Sequence, residues 1–156
     1  MQPTNKELHR IAVTAIIYNK EGKYLVTKRA AHKKSFPNKW TVPGGGLDID
    51  DYMHNKPDTV SGQWYYAVEK TLRREVREEV NVEIGKPTYL LDLCFITPDG
   101  QPCMVLSYYA PYESGDIKLD EDNTEWRWVT ADEAKELDVI AGIEEEIEMV
   151  DKILKK

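Results

Sequence analysis

The stretch LRREVREEV, residues 72–80, combines an apolar stripe with a cluster of acids and decides how the rest of the sequence is read. At about 100° per residue, Glu75, Glu78 and Glu79 fall on one face of a helix. Apolar residues recur every four positions through this segment, at Trp64, Val68, Leu72, Val76 and Val80. This period predicts an amphipathic helix that begins near Ser61 and has its acids at the rim of a hydrophobic core.

Three carboxylates at the rim of a core repel one another and lose part of their hydration, which is costly unless something compensates. A hard divalent cation removes that cost, and oxygen ligands suit Mg²⁺, Mn²⁺ or Ca²⁺ better than zinc. The alternative is a solvated helix face held by ion pairs, such as Arg74 with Glu78 at i+4. The helix by itself leaves both interpretations open.

A glycine-rich stretch lies upstream, at WTVPGGG, residues 40–46. The apolar residues 40–42 indicate a short strand, and the four residues after them mark a backbone that turns tightly or approaches another group closely. Backbone amides or carbonyls in such a stretch can bind a phosphate or a metal. The glycines therefore favour the metal interpretation of the helix acids.

Strand and helix signals alternate along the rest of the 156 residues. The predicted elements are a hairpin over residues 9–28, strands over 88–97, 101–112 and 125–129, and a C-terminal helix over 143–154. Residues 47–62 show no period and are expected to form a long inserted loop. With residues 1–8 as a flexible tail, this order predicts a single domain over residues 1–156, of mixed α/β class.

The net charge of −7 is unevenly distributed. Residues 113–151 contain 15 acidic and 3 basic residues, whereas residues 20–39 contain 7 basic residues and one acid. The acidic total argues against a protein that coats a nucleic-acid polymer or an anionic membrane, and no stretch approaches the roughly 18 apolar residues of a membrane span. We therefore expect a cytoplasmic protein that binds a small anion at the basic segment beside the glycines.

The sequence REVREE at 74–79, preceded by WTVPGG, resembles the signature of the Nudix hydrolases, Gly-x5-Glu-x7-Arg-Glu-U-x-Glu-Glu-x-Gly-U, in which U is a bulky aliphatic residue. The resemblance to this MutT-like family covers roughly residues 9–140. It implies a Nudix fold, a mixed β-sheet sandwiched between helices in an α/β/α arrangement. It also implies metal-dependent hydrolysis of a diphosphate linkage, in a nucleoside diphosphate joined to a group X or in a nucleoside triphosphate.

The resemblance also assigns roles to residues of the motif. Glu78 and Glu79 would be metal ligands, and Glu75 would be either a ligand or the base that positions water. The Gly45 carbonyl would be an additional ligand, and Arg74 would orient Glu75 or stabilise the helix. The metal implied is Mg²⁺, with Mn²⁺ as a substitute.

Members of the family often add an acid from the loop before the late strand. Here Glu121, Asp122 and Glu125 are available, and the distance from Trp128 favours Asp122. The partner implied is a small-molecule diphosphate, in the simplest case a nucleotide. Neither a membrane nor a nucleic-acid polymer is expected as a partner, and a homodimer is left open.

Three departures from the signature bear on activity. Arg74 follows Gly45 by 29 positions instead of 14, so about 15 residues are inserted. Counted back from Arg74, Tyr66 occupies the position of the first Glu of the signature, and Asn81 occupies the position of the Gly near its end. The inserted loop offers three carboxylates that can replace the missing Glu, unless they are simply solvated: Asp48, Asp50 and Asp51. The departures keep a second hypothesis open, a non-catalytic Nudix-like module that binds a nucleotide or a protein partner.

Overall fold

Residues 5–156 are described by a computed structural model, at the centre of which lies a mixed β-sheet of eight strands. The strands are β1 (Arg10–Tyr18), β2 (Tyr24–Arg29), β3 (Trp40–Thr41), β4 (Gly44–Gly46), β5 (Glu83–Ile84), β6 (Thr88–Ile96), β7 (Pro102–Ser114) and β8 (Asn123–Val129). The helices are a 3₁₀ helix (Ile49–Asp51), α1 (Ala67–Val80), α2 (Ala131–Ala134) and α3 (Ile143–Leu154).

The sheet is mixed because β1 and β7 run parallel, while the other strand pairs are antiparallel. The strand order is β3-β2-β1-β7-β5, with β4 paired to β1, β6 to β7 and β8 to β2. The predicted hairpin is present, since β1 and β2 pair through a turn in which Gly22 has a φ of 73°. That left-handed backbone explains the glycine in the turn.

Helices cover both faces of the sheet. One face packs against α1 through a cluster that includes Val13, Ala15, Ile17, Leu72, Val76 and Val80. The other face packs against α3 through a cluster that includes Ile16, Tyr24, Val26, Ile143, Ile147 and Val150. Because β1 is buried on both faces, its sequence is an almost unbroken apolar run and not an alternating one. The predicted α/β/α arrangement is confirmed.

Helix α1 begins later than its apolar period predicts. The first helical residue is Ala67, not a residue near Ser61, and Trp64 lies outside the helix. Residues 58–63 form a turn and not the first part of the helix, because Asp58 N donates a hydrogen bond to Gln63 O at 2.7 Å. Trp64 instead packs on Tyr52, with ring centroids 5.3 Å apart. The inserted loop therefore extends to residue 66, beyond the predicted boundary at residue 62.

Two further predictions concern the ends and the surroundings of the chain. Of the tail predicted over residues 1–8, residues 1–4 lie outside the described part of the chain, and residues 5–8 are exposed. Within residues 5–156, no helix is both long enough and apolar enough to cross a membrane.

Candidate active site

The three glycines of β4 bring the backbone against both β1 and α1. Gly44 pairs with Thr14 of β1, and a Cβ atom on Gly44 would collide with the backbone of Val13 and Thr14. A Cβ atom on Gly45 would collide with the carboxylate of Glu75. The predicted close approach is therefore present, but the glycines form a short strand and not a tight turn. Only glycine lets this strand lie so near the acids of α1.

Arg74 of α1 joins the parts of the site. Its guanidinium donates to both carboxylate oxygens of Asp51 and, through Nη2, to Gly46 O at 3.0 Å. Through Nη1 it also donates to Glu75 Oε1 at 2.8 Å and to Glu78 Oε2 at 3.0 Å. Hydrogen bonding to Asp51 raises the pKa of Arg74, so the guanidinium stays charged. Arg74 thus ties the glycine strand, the inserted loop and two of the helix acids together.

The loop residue that pairs with Arg74 is Asp51, whereas the sequence analysis placed Tyr66 at the corresponding position of the signature. The Asp51 side chain is 2% exposed, and it accepts a hydrogen bond from Thr71 Oγ1 at 2.7 Å. Burial by itself would raise the pKa of Asp51, but the bonds from Arg74, the Asp48 backbone and Thr71 lower it to about 2. Asp51 is therefore an ionised, buried carboxylate and not a solvated loop residue.

The position of Asp51 changes where the insertion falls. Asp51 follows Gly45 by six residues, which is the Gly-x5-Glu spacing of the signature. Tyr66, the residue reached by counting back from Arg74, is 79% exposed at the start of α1. The insertion thus lies between Asp51 and Arg74, and an Asp stands where the signature has its first Glu. The assignment of that position to Tyr66 was wrong.

The other two aspartates of the loop have local roles. Asp48 caps the 3₁₀ helix by accepting a hydrogen bond from Asp50 N at 2.8 Å. The Asp50 carboxylate is exposed and lies 2.9 Å from His54 Nε2. Neither is hydrogen-bonded to Arg74, so of the three loop aspartates only Asp51 stands in place of the missing Glu beside Arg74.

Glu79 lies in a pocket of neutral donors. Its Oε1 accepts from Gly44 N at 3.3 Å and its Oε2 from Asn123 Nδ2 at 3.2 Å. Burial raises the pKa of Glu79 to about 8, and repulsion from Glu75 adds to the effect, while the bond from Asn123 opposes it. Burial also raises the pKa of Glu75, against the attraction of Arg74. Two carboxylates that are each costly to ionise therefore share one side of the site.

The three predicted acids are not arranged equally. Glu75 and Glu79 line a common cleft, whereas the Glu78 side chain is 58% exposed and pairs with Arg74. In the part of the chain that the structure describes, no three His, Cys, Asp or Glu side chains form a ready metal centre. The donor chemistry nevertheless fits a hard cation, because two partly desolvated carboxylates face one cleft beside the Gly45 backbone.

The acidic loop before β8 contributes differently from the prediction. Asp122 lines the cleft, but its carboxylate is paired with Lys33 Nζ at 3.2 Å and with His32 Nε2 at 3.4 Å. Glu125 pairs with Lys28 at 3.4 Å, and Glu121 is exposed. None of these three acids contacts the glutamates of α1.

The loop residue that does reach the helix acids is Asp120, which the sequence did not single out. Its backbone N donates to Glu79 O at 3.2 Å, and its Oδ1 accepts from Asn123 Nδ2 at 2.9 Å. Asn123 therefore bridges Asp120 and Glu79. No spacing in the signature points to Asp120, and it stands in a run of three acids, residues 120–122, that the sequence does not distinguish.

The cleft itself has a volume of about 560 Å³ and a cationic wall. Its basic lining residues are Arg10, Arg29, His32, Lys33 and Lys34. Four of these belong to the basic segment 20–39, so the basic segment predicted to lie beside the glycines does line the cleft with them. The glycines and the acids Glu75 and Glu79 form the opposite side.

Comparison with known proteins agrees with this geometry. A sequence model described as NUDIX domain matches residues 8–149. The nucleoside triphosphatase NudI of Klebsiella pneumoniae (strain 342) is 28% identical over 143 residues, 85% of this chain and 90% of that protein. The MutT protein from Methanosarcina mazei Go1 has a TM-score of 0.71 at 22% identity, covering 98% of this chain and 100% of that one. The NUDIX domain of Shewanella oneidensis NrtR, solved with ADP ribose, has a TM-score of 0.72 at 16% identity, covering 99% of this chain and 94% of that one.

The fold and the site define an α/β/α protein whose acidic helix faces a glycine strand and a cationic cleft. This chain belongs to the Nudix family. It is a Nudix hydrolase, a pyrophosphohydrolase that acts on nucleoside diphosphate-linked substrates, as the signature predicted.

Proposed function

We propose that this protein hydrolyses the diphosphate bridge of a nucleoside triphosphate in a Mg²⁺-dependent reaction. The observation that carries the proposal is the cleft in which cationic side chains face Glu75 and Glu79 across the glycine strand. Cations on one side bind phosphate oxygens, and carboxylates on the other bind the metal that those oxygens share. The curated relatives named nucleoside triphosphatase support this choice of substrate.

Glu79, Glu75 and the Gly45 carbonyl would hold the metal, with Glu78 completing the set once its carboxylate leaves Arg74. When bound, Mg²⁺ neutralises phosphate charge and lowers the pKa of the attacking water. Gly44 N and Asn123 Nδ2 orient Glu79 by their hydrogen bonds to its two oxygens. Arg74 holds Glu75 in place for its role as ligand or water-positioning base.

The cationic wall would hold the phosphate chain. Arg10 and Arg29 line the cleft with the glycines, and a guanidinium binds two phosphate oxygens at once. Lys33 is already paired with Asp122, so Asp122 would set the position of Lys33 and act on the metal only if that pair opens. Lys34 is exposed at the edge of the cleft and would attract the substrate by its charge.

The test is a substrate panel with purified protein and Mg²⁺, containing the nucleoside triphosphates, nucleotide sugars and ADP-ribose. We expect a nucleoside triphosphate to give the highest kcat/KM. A higher value for ADP-ribose would replace the proposed substrate, and no product from any member of the panel would overturn the proposed function.

The alternative, a non-catalytic module, rested on Tyr66 and on the inserted residues. Asp51 fills the position assigned to Tyr66, so the first of those reasons no longer holds. Tight nucleotide binding without turnover, measured by calorimetry, would restore the alternative. A cytoplasmic location and a homodimer stay predictions, and the size of the cleft fits a small nucleotide better than a nucleic-acid polymer.

A further inference from the structure

A second cavity, of about 390 Å³, adjoins the cationic cleft and differs from it in chemistry. The two share Arg29, Gly44, Gly45 and Glu79, so a ligand can occupy both at once. The second cavity is walled mainly by apolar side chains, among them Val42, Leu93, Phe95, Val105, Ile140 and Phe36. Ligand sites of this size and character enclose the apolar, planar part of a molecule.

The cavity exists because α3 covers only part of its face of the sheet. Ala12, Thr14 and Ile16 alternate along β1 and therefore point to the same face. Ile16 is buried under α3, whereas Ala12 and Thr14 line the cavity. Phe95 on β6 is 39% exposed at its edge, and Phe36 reaches it from the loop between β2 and β3.

One charged side chain lies in this apolar lining beyond the shared residues. Glu146 of α3 is 6% exposed, and among the ion pairs of residues 5–156 none includes it. On β7 the hydroxyl of Ser107 is buried, and its interaction with the Glu146 carboxyl opposes the rise in the pKa of Glu146 that burial causes. Buried charged groups are normally paired, so a carboxyl that lines an apolar cavity and forms no ion pair is placed to bind a donor group of a ligand.

We propose that this cavity binds the base of the nucleotide and that the Glu146 carboxyl determines which base is accepted, by binding a ring N–H or amino group at its edge. The proposal rests on the proposed function, because the phosphates must occupy the adjoining cleft. Phe36 and Phe95 supply aromatic surface against which the base packs. Ser107 does not line the cavity, and its hydroxyl interacts with the Glu146 carboxyl.

A Glu-to-Gln change tests this role because it keeps the shape of the side chain. It exchanges one acceptor oxygen for a donor NH₂ group, so a base that offers two donors loses a bond, while a base that offers a donor and an acceptor gains one. Substitution of a residue that only supports the fold would instead change the rates with all nucleotides by the same factor. The ratio of rates between bases therefore separates specificity from stability.

The experiment measures kcat/KM for the four nucleoside triphosphates with wild type, Glu146→Gln and the control Glu144→Gln. Glu144 lies on the same helix but lines neither cavity. We expect Glu146→Gln to change the ratio between the most and least preferred bases by about tenfold or more, and Glu144→Gln to leave it unchanged. An unchanged ratio in Glu146→Gln would overturn the proposal.

Two further measurements keep the outcome clear. Phe95→Ala, at a partly exposed position, is expected to raise KM for every nucleotide several-fold with little change in kcat; an unchanged KM would count against a base in this cavity. Calorimetry with the four nucleoside monophosphates shows whether base preference survives without turnover. If the protein binds one base preferentially through Glu146 but hydrolyses nothing, the proposed function is wrong and this inference stands. If the protein hydrolyses nucleotides with no base preference that depends on Glu146, this inference is wrong and the proposed function stands.

Discussion

Arg74 is the side chain on which the arrangement of the site depends. It contacts Asp51 in the inserted loop, Gly46 in β4, and Glu75 and Glu78 on its own helix. Asp51 is buried and has its charge matched by Arg74, so loss of either group leaves the other uncompensated in a region of low dielectric. We therefore expect the pair to position Glu75, and neither residue lines the cleft in which a substrate would bind.

We expect Asp51→Asn to lower the free energy of unfolding by about 2 kcal/mol at pH 7 and kcat by more than tenfold. The pKa of Asp51 is lowered from 3.8 to about 2, so its stabilising effect is present above pH 3.8 and is lost as the pH falls through 2. Urea unfolding at pH 7 and near pH 3 measures the difference, which should shrink at the lower pH. Asp50→Asn, at the exposed neighbour, is the control, and equal effects of the two variants would contradict this role of Asp51.

Glu79 gives the opposite dependence on pH. Its pKa is raised from 4.5 to about 8, so in metal-free protein its contribution is most favourable below pH 4.5 and is lost as the pH rises through 8. With a chelator at pH 8.5, Glu79→Gln should therefore have a free energy of unfolding about 2 kcal/mol higher than wild type. Near pH 4.5 the two proteins should have the same free energy of unfolding. Thermal or urea unfolding of both proteins between pH 4.5 and pH 8.5 measures this difference. A variant less stable than wild type at pH 8.5 would show that burial of the charge is not the cause.

At the scale of elements, the acidic helix meets a strand made only of glycine. The period of the apolar residues predicted α1 and the face on which its acids lie, because both depend only on the helical repeat. The start of α1 was not predictable from that period, because Trp64 continues the pattern by chance while the backbone forms a turn. Asp51 was one of three loop carboxylates considered, but its equivalence to the first Glu was not recognised because the spacing was counted back from Arg74 across the insertion. Counting forward from Gly45 identifies it.

The close approach of β4 to α1 leads to a prediction for Gly45. We expect Gly45→Ala to reduce kcat by more than tenfold, because the added Cβ would displace the Glu75 carboxylate. Gly22→Asn, in the β1–β2 turn where nothing lies within 4 Å, is the control and should keep full activity. Steady-state kinetics of the two variants test this, and full activity of Gly45→Ala would show that the contact has no catalytic importance.

At the scale of the whole molecule, charge is sorted by region. The chain has a net charge of −7, yet one cleft contains five basic side chains, from β1, from the end of β2 and from the segment between β2 and β3. The acidic excess lies in the C-terminal half, where loops and α3 expose it. Net charge therefore argues against a protein that coats a polyanion, and it does not argue against a single polyphosphate in the cleft.

This distribution predicts the effect of neutralising one lysine. Lys34→Gln should raise KM for the nucleotide by about three- to tenfold with kcat nearly unchanged, because a charge at the edge of the cleft attracts ground state and transition state alike. Lys86→Gln, at an exposed lysine that does not line the cleft, is the control. The difference between the variants should decrease in high salt, and a loss confined to kcat would contradict this role.

The Mg²⁺ dependence of nucleoside triphosphate hydrolysis, compared between wild type, Glu79→Gln and Glu69→Gln, tests the central claim most directly. Glu69 is an exposed acid on the same helix and lies outside the cleft. We predict that Mg²⁺ activates wild type and Glu69→Gln equally, whereas Glu79→Gln loses at least 100-fold in kcat at any Mg²⁺ concentration. Hydrolysis by Glu79→Gln at the wild-type rate and with the wild-type Mg²⁺ dependence would contradict the assignment of the active site to this cleft.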